Sequence, residues 1–429
     1  MSISHLYPST RPSLSINFAR SQTLDPRITF TRTTTGTRVG PDGYIEVIPA
    51  DQPRFDFDPV TGECLGLLVE EQRNNLCTQS SNFSFSHTSN TTETNVFNPD
   101  GTAAIRRVAL STGNFHGTGA DAANIDISGQ AVGGTTDVTT SIFVKNYNNS
   151  NLRLLVGFAS YDGTTYRYFL TTINTADPTN LGIPSDNNGW GSGYAKIDDY
   201  GNGWYRYTFG GRYTKQTGYH TISFVGEQIF SSTGQQFWFG DDVSGIYIWG
   251  KQRELGLFSS SYIPTAGSTA TRTADNAKID GENFTDFYNQ SEGTIFCSAN
   301  NNPGVTTTTS RFFYAFERSD GTSADFIRKW IWSGNTGLLL NSIYTSNSGP
   351  IAAEFNTTLE TSNKRTTIAY KQNDFARSYN GSTPSTDNVG NIPVGINQVR
   401  IGINLSGHIA QLTYYPVRLP NQILQNLTK

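Results

Sequence analysis

Adjacent acidic residues are the first candidates for catalytic chemistry in this sequence. Hydrolysis of a glycosidic bond uses two carboxyl groups roughly 5 to 10 Å apart, one as the acid and the other as base or nucleophile. Neighbouring residues of a strand point to opposite faces, so an adjacent pair does not by itself form such a site. Asp198 and Asp199 are therefore interpreted as solvated turn carboxylates, and Asp241 and Asp242 as a candidate loop site for Ca²⁺. The acidic doublets are Glu70-Glu71, Asp198-Asp199 and Asp241-Asp242.

Nucleophilic and metal-dependent catalysis find no support in the motifs of the chain. The five histidines lie in different regions, and there is no GxSxG elbow, HExxH motif or phosphate-binding loop. The three cysteines, Cys64, Cys77 and Cys297, are too few and too scattered for a disulfide framework and include no CxxC pair. We therefore expect no catalytic residue, no cofactor and no enzymatic activity.

Aromatic side chains offer a different chemistry, the binding of sugars. Aromatic faces stack on the apolar faces of sugar rings, while nearby polar side chains bind the hydroxyls. Trp190 and Tyr194 lie in the glycine-rich stretch "DNNGWGSGY" and are candidates for contact with a glycan. Trp330 and Trp332 are two positions apart, so their rings share one face of a strand. That face is either open to a ligand or packed in the core.

The composition indicates which elements position these residues. Charged residues make up 15% of the 429 residues, the formal net charge is -4, and aromatic residues reach 12% beside 42 glycines. Thr, Tyr, Phe and Trp favour strands, and Gly, Asn and Asp favour the turns between them. The sequence has no excess of basic residues, which argues against a nucleic-acid partner. These observations predict an all-β protein.

Targeting signals give a second set of expectations. The N-terminal stretch "MSISHLYPSTRPSLSINFAR" lacks the cationic start and apolar core of a signal peptide. No apolar run approaches the ~20 residues that a transmembrane helix needs. We expect a chain that is made in a cytoplasm, has no membrane span and is not exported by the usual route.

Runs of alternating apolar residues, bounded by turn residues, divide the chain into segments. Residues 1–75 contain short strands around the turn Pro41-Asp42-Gly43 and have few residues for a core of their own, so we expect them to lie against another protein or a symmetry mate. The same pattern in residues 76–270 predicts an antiparallel jelly roll with Trp204 and Trp249 in its core. Residues 271–283 are interpreted as a linker, and residues 284–429 as a second β-sandwich that ends in a short helix.

The stretch that leaves the first sandwich combines charged and weakly structured sequence. Lys251-Gln252-Arg253-Glu254 follows a regular strand and is interpreted as a salt-bridged patch that protects the sheet edge. "SSSYIPTAGSTATR" would then be the crossing segment, held to a neighbouring surface by Tyr262 and Ile263. The change from a regular strand to this polar, weakly structured segment therefore indicates that the chain leaves the first domain here.

Three groups of motifs resemble a known class of proteins. "RPSLSINFARSQTLDPRITFTRTTTGT" followed by "PRFDFDPVTGECLGLLVEEQRNNL" resembles the N-terminal part of fibre-type structural proteins of tailed bacteriophages, especially marine and cyanobacterial phages. "DDYGNGWYRYTF" with "SGIYIWGKQRELGLFSSSYIPTAGSTATRTAD" is similar to the carbohydrate-binding-module-like jelly roll of those proteins. "GHIAQLTYYPVRLPNQILQNLT" resembles the end of a concanavalin A/laminin-G-like sandwich.

The resemblance implies a non-enzymatic virion structural protein, a short tail fibre or appendage subunit. It implies a homotrimer that binds other virion proteins near its N-terminus and recognises a glycan of the host surface with its distal modules. Position 77 departs from the resemblance, because Cys77 stands where an aliphatic residue is expected. Two alternatives stay open: a glycan-cleaving tail spike of the same architecture, and a purely structural head or tail decoration protein.

Overall fold

Strands make up most of the chain, which confirms the all-β fold class, and they pair in antiparallel sheets. The alternation of apolar and polar residues explains this outcome, because such segments bury their apolar side chains only when sheets stack. The computed structural model describes residues 8–81, 88–109, 116–118, 135–147, 153–161, 166–174, 177–181, 185–186, 193–214, 220–227, 229–231, 234–236, 242–243, 245–256, 258–301, 310–321, 325–331, 339–345, 349–354 and 364–429.

The N-terminal part consists of short strands and one helical turn. The turn is capped by Asn17, whose side-chain oxygen accepts a hydrogen bond from the backbone N–H of Arg20 at 3.0 Å. The elements are β1 (Leu14–Asn17), α1 (Phe18–Ser21), β2 (Thr29–Thr31), β3 (Gly36–Val39), β4 (Ile45–Ile48), β5 (Arg54–Phe57), β6 (Cys64–Glu70) and β7 (Arg73–Asn75).

Strands β3 and β4 form a hairpin around the predicted turn Pro41-Asp42-Gly43. Gly43 has a φ of +82°, a left-handed conformation that glycine adopts without a steric penalty. The backbone N–H of Gly43 donates to the carbonyl oxygen of Gly40 at 3.0 Å, which closes the turn. The sequence signal for this turn is confirmed.

The first sandwich follows and contains two six-stranded sheets. Sheet I has the strand order β16-β17-β11-β21-β9-β8, and sheet II has the order β10-β18-β12-β13-β14 with β15 on β13. The strands are β8 (Thr88–Phe97), β9 (Ala103–Ala109), β10 (His116–Thr118), β11 (Thr135–Tyr147), β12 (Arg153–Tyr161), β13 (Tyr166–Asn174), β14 (Asp177–Leu181), β15 (Ser185–Asp186), β16 (Gly193–Asp199), β17 (Trp204–Thr214), β18 (His220–Glu227), β19 (Ile229–Ser231), β20 (Gly234–Gln236) and β21 (Gly245–Leu255).

The second sandwich is formed by the C-terminal elements together with N-terminal strands. Sheet III has the order β31-β30-β29-β24-β33-β6-β5 with β1 on β33, and sheet IV has the order β2-β23-β32-β25-β26-β27-β28. The elements are β22 (Ala270–Arg272), β23 (Asn276–Asp280), α2 (Glu282–Thr285), β24 (Glu292–Ala299), β25 (Arg311–Glu317), β26 (Phe326–Ile331), β27 (Leu339–Thr345), β28 (Gly349–Glu354), β29 (Lys364–Lys371), β30 (Phe375–Tyr379), β31 (Ser385–Asp387), β32 (Gln398–Ile403), β33 (Ser406–Tyr415) and α3 (Asn421–Leu427).

The N-terminal segment packs into its own chain, where the sequence led us to expect contact with another molecule. β1 pairs with β33, β6 pairs with both β5 and β33, and β2 pairs with β23. Leu14, Phe18 and Phe55 lie in the same buried core as the C-terminal strands. Local alternation shows that a segment forms strands, but it does not show which distant strands they pair with. The role of residues 1–75 in attachment stays a prediction.

The interpretation of residues 271–283 as a connecting linker also differs from what the structure shows. Strand β22 pairs with β7, and β23 lies between β2 and β32 in sheet IV. Ala277 and Ile279 are buried in the core of the second sandwich. The stretch is thus part of the second sandwich, because β23 is an interior strand of sheet IV and its alternating apolar side chains are buried in the core.

The interpretation of Lys251 to Glu254 as a salt-bridged patch that protects the sheet edge was wrong, because these residues lie inside the protein. All four side chains are buried, with exposures of 0% for Lys251 and 1% for Glu254. Glu254 accepts hydrogen bonds from the backbone N–H of Ser260 at 2.9 Å and from the side-chain amide of Gln252 at 2.8 Å. Glu254 therefore holds the crossing segment in place from inside the protein.

Aromatic packing connects sheet I to the crossing segment. Trp204 and Trp249 are 2% exposed and lie in one core, as predicted. The ring of Tyr262, from the crossing segment, lies 4.5 Å from the Trp249 ring and 6.4 Å from the Phe143 ring. Tyr262 and Ile263 are both 5% exposed, so they anchor the segment as expected.

Candidate functional site

The outer face of sheet IV presents aromatic side chains on three adjacent strands. Burial alternates along β26, so that every second side chain points away from the core. The half-buried outward side chains of this strand are Phe326, Arg328 and Trp330, and the buried inward ones are Ile327, Lys329 and Ile331. The sheet thus divides this sequence into a core face and an outer face.

Two cross-strand pairs place four rings on that face. Phe312 of β25 lies opposite Trp330, with ring centroids 5.6 Å apart and planes 9° apart. Phe326 lies opposite Tyr344 of β27, with centroids 5.2 Å apart and planes 9° apart. All four rings are half-buried. We call Phe312, Trp330, Phe326 and Tyr344 the aromatic row.

Arg328 lies between the two stacked pairs. Its guanidinium carbon is 5.1 Å from the centroid of the Phe312 ring and 4.0 Å from that of the Phe326 ring, which are cation–π distances. The Glu317 carboxylate accepts from Arg328 Nη2 at 2.6 Å and from Arg400 Nε at 2.5 Å. These contacts fix the orientation of the guanidinium, and they leave one positive charge in excess among the three groups.

Hydroxyl groups and an indole N–H complete the polar part of this face. Trp330 Nε1 donates to the hydroxyl of Ser342 at 3.0 Å, which fixes the indole relative to β27. Partly exposed rings next to guanidinium and carboxylate groups can contact both the apolar faces and the hydroxyls of a sugar. The aromatic row can therefore serve as a binding surface for a carbohydrate.

Of the two predicted glycan-binding residues that the structure describes, one lies on this surface. Trp330 belongs to the aromatic row, whereas Tyr194 lies on β16 in the first sandwich. Trp190 and Trp332 are outside the described residues, so their roles stay predictions. For Trp330 the sequence left an open face and a packed core as alternatives, and the structure shows the outer face.

Tyr194 packs closely against the neighbouring strand. Gly210 of β17 lies directly opposite Tyr194, and a Cβ atom added to this glycine would lie 2.2 Å from a ring carbon of the tyrosine. Glycine is thus required under the ring. Burial raises the pKa of the Tyr194 phenol above its usual value. The Tyr194 side chain is only partly exposed, and its hydroxyl oxygen is buried.

Sequence reasoning missed three members of the aromatic row and its arginine. The alternation of Phe326, Arg328 and Trp330 was a usable signal, because positions i, i+2 and i+4 of a strand share a face. Phe312 and Tyr344 had no local signal of their own. Their place opposite Trp330 and Phe326 depends on the pairing register, which is a long-range property.

Among the described residues, the acidic doublets form no carboxylate pair at this surface. Asp198 forms an ion pair with Lys196 at 2.8 Å, and Glu70 forms one with Arg54 at 2.8 Å. Asp241 is outside the described residues, and Asp242 is exposed with a φ of +59°. Within the described residues, His, Cys, Asp and Glu side chains form no group of three that could hold a metal ion. Calcium binding by Asp241 and Asp242 stays a prediction.

None of the helices in the described part of the chain has the length and apolar character of a transmembrane span.

Comparisons with known proteins give similarities in fold only. No protein-family model matches the chain, and no curated protein matches it. Among solved structures, the CBM40 of a Ruminococcus gnavus IT-sialidase is similar at 12% identity and a TM-score of 0.28, over 33% of this chain and 84% of that one.

Two further solved structures are similar over a larger share of the chain. A Trypanosoma rangeli sialidase has 10% identity and a TM-score of 0.23, over 81% of this chain and 63% of that one. Domains LG4-5 of the mouse laminin α1 chain have 9% identity and a TM-score of 0.16, over 83% and 84% of the two chains. At these identities and TM-scores the likenesses carry no argument about function.

Proposed function

We propose that the chain is a non-enzymatic structural subunit of a bacteriophage virion, a short tail fibre or appendage, that recognises a host surface glycan. The observation that carries the glycan-binding part is the aromatic row with Arg328 on the outer face of sheet IV. The virion part rests on the sequence resemblance, which also implies a homotrimer and contacts with other virion proteins through the N-terminal part.

The chemistry of the row favours binding over cleavage. Glu317, the carboxylate that touches Arg328, is 3% exposed and accepts hydrogen bonds from two arginines. A carboxylate held in this way orients the arginines and is poorly placed to donate a proton to a glycosidic oxygen. The excess positive charge at Arg328 and Arg400 favours glycans that carry carboxylate or phosphate groups.

Binding of the full chain to a panel of bacterial surface polysaccharides tests this proposal. We expect Trp330→Ala to weaken binding roughly tenfold or more, as for a buried aromatic anchor. Lys371→Ala is the matched control, because Lys371 is 54% exposed and lies on the opposite sheet of the same sandwich. Circular dichroism of each variant checks that the fold is kept.

The outcomes separate the proposed function from its alternatives. Equal loss of binding in Trp330→Ala and Lys371→Ala would contradict a role of the row. Release of new reducing ends from the bound polysaccharide would indicate a glycan-cleaving spike. Absence of binding to every polysaccharide would favour a decoration protein that contacts only other virion components.

A further inference from the structure

The outer face of sheet IV carries a line of cationic side chains beside the aromatic row. Lys278 of β23 lies directly opposite Arg400 of β32. Ala315 of β25 lies between Arg400 and Arg328 and is directly opposite both. Residues directly opposite each other in a sheet share one face, so the three cations form one line across four strands. We call Lys278, Arg400 and Arg328 the cationic line.

The burial of the neighbouring residues shows that the cationic line faces outward. The residues before and after Lys278 and Arg400 lie in the core of the second sandwich: Ala277, Ile279, Val399 and Ile401. The side chains of Lys278 and Arg400 are 38% and 39% exposed, and that of Arg328 is 16% exposed. A ligand from outside the chain can therefore reach the line, most easily at Lys278 and Arg400.

Two carboxylates contact the cationic line and leave one positive charge in excess among these five groups. Glu317 accepts from both arginines, and Asp280 accepts from Lys278 Nζ at 2.6 Å. The pair of Lys278 and Asp280 is well exposed, so it contributes little to stability, and its lysine can bind another anion at low cost. An anionic ligand would neutralise the excess charge.

Arg400 keeps hydrogen-bond donors for such a ligand. Its hydrogen bond to Glu317 uses Nε, and within the described part of the chain neither of its Nη atoms donates a hydrogen bond. A guanidinium group presents paired N–H groups that match the two oxygens of a carboxylate or a phosphate. Arg400 can therefore hold Glu317 through Nε and a second anion through its Nη groups.

The stacked pair of Phe312 and Trp330 lies next to the cationic line. Trp330 is two positions after Arg328 on β26, so the indole and the guanidinium are neighbours on one face. Adjacent strands are about 4.8 Å apart, so Arg400 lies within reach of a substituent on a sugar ring that contacts this pair. A polysaccharide that crosses the strands can contact the rings and the cations together.

From these observations we propose that the outer face of sheet IV binds an acidic polysaccharide, one that carries carboxylate or phosphate groups. The Nη groups of Arg400 and the ammonium group of Lys278 would bind the anion, and Phe312 and Trp330 would contact the sugar rings. The inference rests on the proposed function, because it names the class of glycan for that same surface.

Biolayer interferometry with the full chain tests the inference. The probes are polygalacturonate for the carboxylate and phosphomannan for the phosphate, each beside a neutral counterpart, methyl-esterified polygalacturonate and unphosphorylated mannan. We expect at least one acidic polymer to bind and its neutral counterpart to bind at least about tenfold more weakly. Binding should also weaken as the salt concentration rises from about 50 mM to about 500 mM, because exposed charges are screened.

Removal of single charges locates the binding. Arg400→Gln and Lys278→Gln are each expected to weaken binding of the acidic polymer about three- to tenfold. Arg400→Lys keeps the charge but loses the paired N–H groups, so we expect an intermediate affinity. Lys371→Gln is the matched control and should bind as wild type does, because it removes one charge from a side chain that is 54% exposed on sheet III. Circular dichroism checks that each variant keeps its fold.

The outcomes separate failure of this inference from failure of the proposed function. Equal binding of an acidic polymer and its neutral counterpart would overturn the inference, and so would equal affinities of wild type, Arg400→Gln and Lys278→Gln. If only neutral polysaccharides bind and Trp330→Ala abolishes that binding, the inference fails and the proposed function stands. If no polysaccharide binds at all, both fail.

Discussion

Buried ion pairs hold the crossing segment against the N-terminal strands. Glu70 accepts from Arg54 at 2.8 Å, and it also accepts from the backbone N–H of Ser261 at 2.7 Å and from the Ser261 hydroxyl at 2.6 Å. Asp275 accepts from Arg32 at 3.0 Å and from Arg54. Breaking such a network leaves an uncompensated buried charge, which is strongly destabilising.

Glu70 makes the stability of the protein depend on pH. Burial opposes its ionisation, but the charges of Arg272 and Arg54 and the hydrogen bonds from Ser261 outweigh this and hold the pKa of Glu70 well below its ordinary value of 4.5. As the pH falls through this value, the unfolded chain takes up a proton before the folded chain does. We therefore expect the free energy of unfolding to be at its full value above about pH 5 and to decrease at lower pH.

Urea unfolding between about pH 6 and about pH 3 checks this prediction. Glu70→Gln should lower the free energy of unfolding by about 3 kcal/mol at neutral pH. The free energy of unfolding of this variant should also decrease less than that of wild type as the pH falls. Glu282→Gln is the control, because Glu282 is exposed, and it should change stability by less than about 0.5 kcal/mol. Parallel acid profiles for wild type and Glu70→Gln would contradict the role of this carboxylate.

At the scale of elements, strand β1 shows how the N-terminal part belongs to the second sandwich. It pairs along its whole length with β33, from Leu14 opposite Tyr414 to Asn17 opposite Gln411. Leu14 is fully buried in the core, whereas Ser15, its neighbour, is exposed. The strand thus supplies core side chains as well as backbone hydrogen bonds.

Leu14→Ala should destabilise the protein by about 2 to 5 kcal/mol, because it leaves a cavity in the core. Ser15→Ala, on the outer side of the same strand, should change stability by less than about 0.5 kcal/mol. Thermal or urea unfolding of the two variants measures the difference. Similar small effects for both would mean that β1 is not an integral part of the sandwich.

The sequence predicted individual strands and turns better than it predicted which strands pair with each other. Period-two spacing placed Trp330 on a strand, and the Pro41-Asp42-Gly43 turn followed from local chemistry. The pairing of β1 with β33 could not be predicted, because about 400 residues separate Leu14 from Tyr414 and no local pattern encodes so distant a contact. For the same reason the sequence found Trp330 but not Phe312 or Tyr344 beside it.

At the scale of the whole molecule, the chain leaves the second sandwich after β6 and returns to it at β23, with the first sandwich between them. Strand β7 pairs with β22 where the chain leaves and returns, and the buried ion pairs of Glu70 and Asp275 lie at the same place. This arrangement leaves the outer face of sheet IV for contacts beyond the chain. Virion attachment through the N-terminal part would use its outward surface, because its inward side chains are in the core.

Oxidative footprinting with and without a bound surface polysaccharide is the most direct test of the aromatic row as the binding surface. The account predicts that the polysaccharide protects Trp330, Phe326 and Tyr344 from oxidation and leaves Phe97, which is 45% exposed on the first sandwich, unchanged. Protection of Phe97 with unchanged oxidation of the row would contradict it.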